Sequence, residues 1–172
     1  MTDVRAYLHY FQQLSQQHVA INSFFVMDVN EPLAAMRDKI KYPSLIMNTL
    51  SGSFAAPNHD NTLDDVTGGF LILGRLANMD DFAGEMLLLE QMKQIGTDII
   101  SQMNYDLRKC EPRASKAIAG FSINSVSYQM TDGIFDNCFG FFFTFKLISP
   151  VDLSYNAAKW SLVRPVTGIF QY

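Results

Sequence analysis

The chain has 172 residues and a net charge of −4, which suits one domain around a single core. Hydrophobic residues make up 48% and charged residues 17%, which excludes a disordered chain. The acidic balance argues against a generic nucleic-acid binder, which needs a basic face to neutralise phosphates, although net charge leaves a local basic patch open.

In chain order, Val4, Tyr7, Leu8, Phe11 and Leu14 recur at three- and four-residue steps and predict a helix over residues 3–18. That opening has neither a basic start nor a continuous apolar stretch, so it is not expected to act as a signal peptide. A short helix is possible at Glu31–Lys39, with Pro32 at its first position and Leu33, Met36 and Ile40 on one face. In "KYPSLIMNTLSGSFA" Pro43 stops a helix, and Leu45, Ile46, Met47 and Leu50 suggest a strand ending near Gly52. "APNHDNTLDD" reads as a loop. "VTGGFLILGRL" is a short continuous apolar run, as expected of a strand buried on both faces or crossing a sheet's centre.

A long helix is predicted from Met79 to about Leu107. Phe82, Met86, Leu89, Met92, Ile95, Ile99 and Met103 form its stripe, Asn78 is its expected N-cap, and Asp80 and Asp81 suit the dipole of its first turn. "CEPRASKA" breaks the chain. In "IAGFSINSVSYQM" the apolar parity switches near Ser125, which suggests a bulge or a strand covered differently at its two ends. The last strand alternates Phe139, Phe141, Phe143, Phe145 and Leu147 with Gly140, Phe142, Thr144, Lys146 and Ile148. The odd-numbered set is expected to face the long helix. Together these elements predict an α+β domain over residues 1–148: an antiparallel sheet of about four strands in two hairpins, with the N-terminal and long helices packed on one face. Residues 149–172 form a C-terminal arm.

No stretch carries a convincing catalytic or metal constellation. Gly69 and Gly74 have P-loop spacing, but Phe70–Leu73 between them belong in a sheet, Arg75 stands where a Lys is required, and Leu76 offers no hydroxyl to a metal. His59, Asp60, Asp64 and Asp65 lack the alternating order of an EF-hand and read as an acidic loop. His9 and His18 fall on opposite sides of a helix. Cys110 and Cys138 are the only cysteines, and they read as two reduced thiols of a cytosolic chain. No apolar run approaches the ~20 residues of a membrane-spanning helix. The expected protein is non-enzymatic and needs no metal or cofactor.

The arm is the informative part. Ser149-Pro150 is expected to leave the sheet or follow its edge, because Pro150 cannot donate to a ladder. Leu153, Tyr155 and Trp160 then follow at irregular spacing as large anchors. They pack either on their own protomer or on an adjacent subunit, where aromatics make interface anchors.

The succession of a helix, "YPSLIMNTLSG", "GGFLIL", "DDFAGEMLLLEQMKQIGTDIISQMNYD" and two strands ending in "FFFTFKLISPVDLSYNAAKW" resembles the tail terminators of tailed bacteriophages. It is also similar to the cap proteins of contractile injection particles. The resemblance covers about Met1 to Trp160 and rests on element order; the segment Asn22–Lys41 and the long arm depart from it. It implies a closed ring of identical copies, usually six-fold, that stops tail-tube polymerisation. Such a ring offers a docking face to tail tube, sheath or connector proteins within a virion or tail-like particle assembled in the bacterial cytoplasm. It implies no membrane and no sequence-specific nucleic acid, with DNA free to pass through the lumen. The competing expectation is a monomeric or dimeric module whose aromatics line a small-ligand pocket.

Overall fold

The computed structural model describes residues 3–26, 40–58, 61–78, 80–132, 137–154 and 156. The elements run α1 (Val4–Gln17), β1 (Ser23–Val26), β2 (Ser44–Met47), β3 (Ser51–Asn58), β4 (Asn61–Arg75) and α2 (Phe82–Arg108). They continue as α3 (Pro112–Ala117), a 3-10 turn (Ile123–Ser125), β5 (Ser127–Asp132) and β6 (Cys138–Pro150). The chain is α+β, with six strands in the order β1-β2-β4-β6-β5 and β3 joined to β4 beside that path. All pairs are antiparallel except β1 with β2.

The 15-residue β4 is the centre of the sheet. Along one side it pairs with β6 from Leu63 to Arg75. Along the other it meets β3 through its first half and β2 through its second. The single strand expected around residues 44–52 is therefore two. Met47 opposes Phe70 and Ser51 opposes Thr67, so Asn48, Thr49 and Leu50 span the space of Gly68 and Gly69. One surplus residue interrupts the ladder as a bulge does. The loop expected at "APNHDNTLDD" is corrected as well: residues 56–58 belong to β3 and residues 61–65 to β4. The polar composition that suggested a loop instead marks a hairpin whose β3 side is exposed from Ser51 to Ala56. His59 and Asp60 lie outside the described residues, as do Glu31–Lys39, Met79, and residues 133–136 of the last hairpin.

All three helices contribute to one apolar layer with one face of the sheet. Tyr7, Phe11, Met92, Ile99, Phe70, Ile72, Phe143 and Phe145 belong to a single buried cluster. Phe11 stacks on Phe145 with centroids 5.9 Å apart, and Phe70 stacks on Phe143 at 5.2 Å. Ile46, Leu71, Leu73 and Cys138 are buried in a smaller cluster. The alternation of β4 sends Phe70 and Ile72 one way and Leu71 and Leu73 the other. The two-sided burial expected of "GGFLILG" is what the structure has.

α1 is capped by Asp3, whose Oδ1 accepts from the N–H groups of Arg5 and Ala6 at 3.0 and 3.1 Å. The N-cap of α2 is Asp81, which accepts from Gly84 N at 2.9 Å, and not Asn78. The Asn78 side chain accepts from Asp80 N instead, in the turn before the helix. Leu89, Met92, Ile95, Ile99 and Met103 are buried as the stripe requires, but Phe82 and Met86 are 72% and 53% exposed. Leu88 and Met92 already sit over Gly74 near the end of β4, so the first turns of α2 overhang the sheet.

Three further expectations change. "CEPRASKA" contains α3, started by Pro112 in its first turn and docked through buried Ala114 and Ala117. The parity switch near Ser125 is a 3-10 turn and not a bulge. Ser125 Oγ donates to Ser122 O at 2.6 Å and accepts from Lys146 N at 3.0 Å, so a hydroxyl fills a ladder position there. Of the odd-numbered β6 residues, Phe143, Phe145 and Leu147 are buried while Phe139 and Phe141 are half-buried. Lys146 is exposed and Thr144 is half-buried, so the far side of β6 is the wetter one at these positions.

Candidate assembly surface

β6 does not leave the sheet at Ser149-Pro150. Pro150 is registered against Leu63, and Val151 N donates to Thr62 O at 2.9 Å. Alternate residues of a strand turn their N–H groups to opposite neighbours, so the N–H that Pro150 lacks would face away from β4. The arm thus begins after a ladder that runs through proline. Asp152 Oδ1 accepts from Ser154 N at 2.8 Å, and Leu153 is 56% exposed. Tyr155 and Trp160, the other two expected anchors, lie outside the described residues.

The more informative surface is one the sequence reading passed over. β5 ends the sheet, and among the described residues only β6 pairs with it. Its sequence, Ser-Tyr-Gln-Met-Thr-Asp, has neither Lys nor Pro and only a terminal Asp. An edge of that kind lacks the usual defences against pairing with another chain. On its helix side Tyr128 and Met130 are 53% and 52% exposed. The Tyr128 ring lies 5.7 Å from that of Phe143 and 6.1 Å from that of Phe141, and the Lys93 ammonium sits 4.8 Å above it. The aromatic layer of the core therefore continues onto the surface. At the other end of the sheet β1, Ser-Phe-Phe-Val, also carries no charge and no proline. The signal for β5 was present in "SVSYQM" as alternation without charge, but only the topology puts that strand at an edge.

The buried polar groups perform structural work. Asp106 is 1% exposed. It accepts from the Tyr10 hydroxyl at 3.0 Å, from Gln102 Nε2 at 2.7 Å and from Arg113 Nη2 at 3.0 Å. One carboxylate thereby ties α1, α2 and α3 together, and its oxygens are satisfied as a buried charge requires. Burial and the neighbouring Asp106 charge push the Tyr10 phenol well above the usual tyrosine range, with Arg113 working in the opposite sense. Tyr7 is raised by burial too; its hydroxyl approaches the Gly69 backbone, which offsets part of the effect, without reaching good hydrogen-bond geometry.

His18 terminates α1. Its Nδ1 accepts from Ala20 N at 3.2 Å, which leaves Nε2 to carry a proton toward Asp98 Oδ2 at 3.4 Å. His9 is exposed. Asp64 and Asp65 lie within β4, Asp64 buried and Asp65 paired with Lys146 Nζ at 2.9 Å. Residues 69–74 lie in the second half of β4, where ladders to β2 and β6 engage the backbone. Cys110 is exposed and Cys138 is buried, where its Sγ donates to the Tyr42 hydroxyl at 3.3 Å; neither is in a disulfide. Among the described residues no three His, Cys, Asp or Glu side chains gather as a metal centre. No helix there is long and apolar enough to cross a membrane.

No known family model matches the chain, and no curated protein matches it in sequence.

Proposed function

We propose that this chain is a non-enzymatic structural subunit that closes into a ring, of the kind that terminates the tail tube of a phage or tail-like particle and docks to its connector or sheath. The observation that carries this reading is a sheet whose two end strands, β1 without charge and β5 with only its terminal Asp132, lie at opposite ends of one path. Two different surfaces at opposite ends suit a head-to-tail contact, and such contacts give rings when the rotation between copies closes. The exposed Tyr128 and Met130 of β5 supply the aromatic and methionine contacts that interface centres favour.

Light scattering and negative-stain images of the purified protein test this. A closed particle of about six 19.4-kDa chains is expected. Met130→Lys, which places a charge on the edge strand, is expected to shift the particle to protomers with an unchanged circular dichroism spectrum. A sharp monomer across the accessible concentration range overturns the ring and returns the chain to the small-ligand reading.

A further inference from the structure

We infer that His18 makes the turn between α1 and β1 responsive to acid: its protonation releases the Ala20 N–H that now holds the turn, and tightens the tie from α1 to α2 at Asp98. The device would operate in a protomer and in a ring alike.

His18 is where α1 ends, and its own N–H still bonds to Leu14 O at 3.0 Å. The turn that follows is short. Ile21 N donates to His18 O at 3.2 Å, Asn22 N donates to Pro43 O at 2.8 Å, and β1 begins at Ser23. Between these anchors the imidazole accepts the Ala20 N–H at Nδ1, at 3.2 Å. Because that nitrogen accepts, the neutral ring carries its proton on Nε2, 3.4 Å from Asp98 Oδ2. The carboxylate is held for it from the other side, where Asp98 Oδ1 takes Gln94 Nε2 at 2.9 Å.

A protonated imidazole has two donors and no acceptor. Its Nδ1–H would oppose the Ala20 N–H, donor against donor, so that bond cannot survive. The bond from Nε2–H to Asp98 becomes charge-assisted and stronger. One ring therefore strengthens the contact between the helices while it lets go of the turn. Ala20 is half-buried against the core, and its freed N–H has to find water or another acceptor by a movement of the turn backbone. Val19, just before it, is 100% exposed, so that side of the turn has room to move.

The charged groups that face the ring come from α2: Asp98 in contact, and Glu90 across the hollow that both residues line. α1 adds only Leu14 and Gln17 there, the turn adds Val19 and Ala20, and no Lys or Arg lines the hollows on either side of His18. On the α3 side Arg113 reaches Gln17 at 3.2 Å but is committed to the buried Asp106.

The test follows the full chain, labelled with nitrogen-15 alanine, by NMR from pH 8 to 5, the range in which histidine side chains change charge. Ala20→Gly assigns the Ala20 amide and His18→Asn assigns the His18 ring protons. The amide is expected to shift on the same curve as the ring. It should also exchange with water about fivefold faster at the acid end, after correction for the intrinsic rate, for the loss of one hydrogen bond. In His18→Asn, whose side-chain carbonyl accepts from Ala20 N and gains no proton, the amide should stay unmoved. An Ala20 amide that stays put while the ring titrates overturns the inference, as does one that moves equally in His18→Asn. A ring that gains no proton by pH 5 overturns it too.

Discussion

At the scale of single residues, the protonated Tyr10 phenol is part of the fold. Its hydroxyl donates to the buried Asp106 carboxylate, so ionisation would set two negative oxygens against each other in a desolvated site. The pKa is raised above the ordinary value of 10.0, which means the folded chain holds this proton more tightly than the unfolded one. The resulting stability is fully present below pH 10 and is lost as pH rises toward the folded value. Tyr7 acts in the same direction through burial. Each phenol is expected to remove about 1.4 kcal/mol of stability per pH unit above pH 10 until its own folded value is reached. Urea titrations from pH 8 to 11.5 check this. Tyr10→Phe should be less stable at pH 8 by about 1 kcal/mol, for the lost hydrogen bond, and decline less steeply above pH 10. Parallel curves would show that the phenol does not contribute.

At the scale of elements, Gly96 sets how closely α2 approaches the sheet. A Cβ built there meets the ring of Phe143, and that ring is held by its stack on Phe70 at 5.2 Å. Gly96→Ala is expected to cost about 1–3 kcal/mol, as overpacking does, even though alanine favours helix. Phe143→Ala should cost about 3–5 kcal/mol, and half-buried Phe141→Ala less. Chemical denaturation of the three variants ranks them; a Gly96→Ala protein more stable than its parent would mean that α2 can rise off the sheet freely. The same elements show what was readable in advance. The α2 stripe and the β6 alternation were legible because both record a nearby apolar layer with a regular period. Phe82 and Met86 misled because periodicity cannot tell where the sheet beneath a helix stops. The β3–β4 hairpin was concealed by its polar residues, since ladder pairing with β6 decides that strand more than composition does. Asp106 carried no signal at all: its partners come from three helices, and only packing brings Tyr10, Gln102 and Arg113 to one carboxylate. The β5 edge was equally hidden, because a strand's sequence does not state how many neighbours it has.

At the scale of the whole molecule, the question is whether the arm completes the protomer or the proposed ring. The ladder of β6 runs to Pro150, and the Val151 N–H still bonds to Thr62. A cut after Ser149 would therefore remove part of the sheet and confuse folding with assembly. A cut after Ser154 leaves every described strand intact, retains exposed Leu153, and removes Tyr155, Trp160 and the cations Lys159 and Arg164. The core cluster that joins α1, α2, α3 and the sheet draws on no residue beyond Leu147 among those described. The shortened chain is accordingly expected to keep its circular dichroism spectrum and a cooperative melt while the particle falls apart to protomers. Loss of a few aromatic anchors, at about 2–4 kcal/mol each, suffices for that when every subunit boundary loses them together. Trp160→Ala in the full chain should act in the same direction and more weakly. If the shortened chain instead loses its cooperative transition at any concentration, the arm packs on its own protomer, and ring closure must come from the β1 and β5 edges alone.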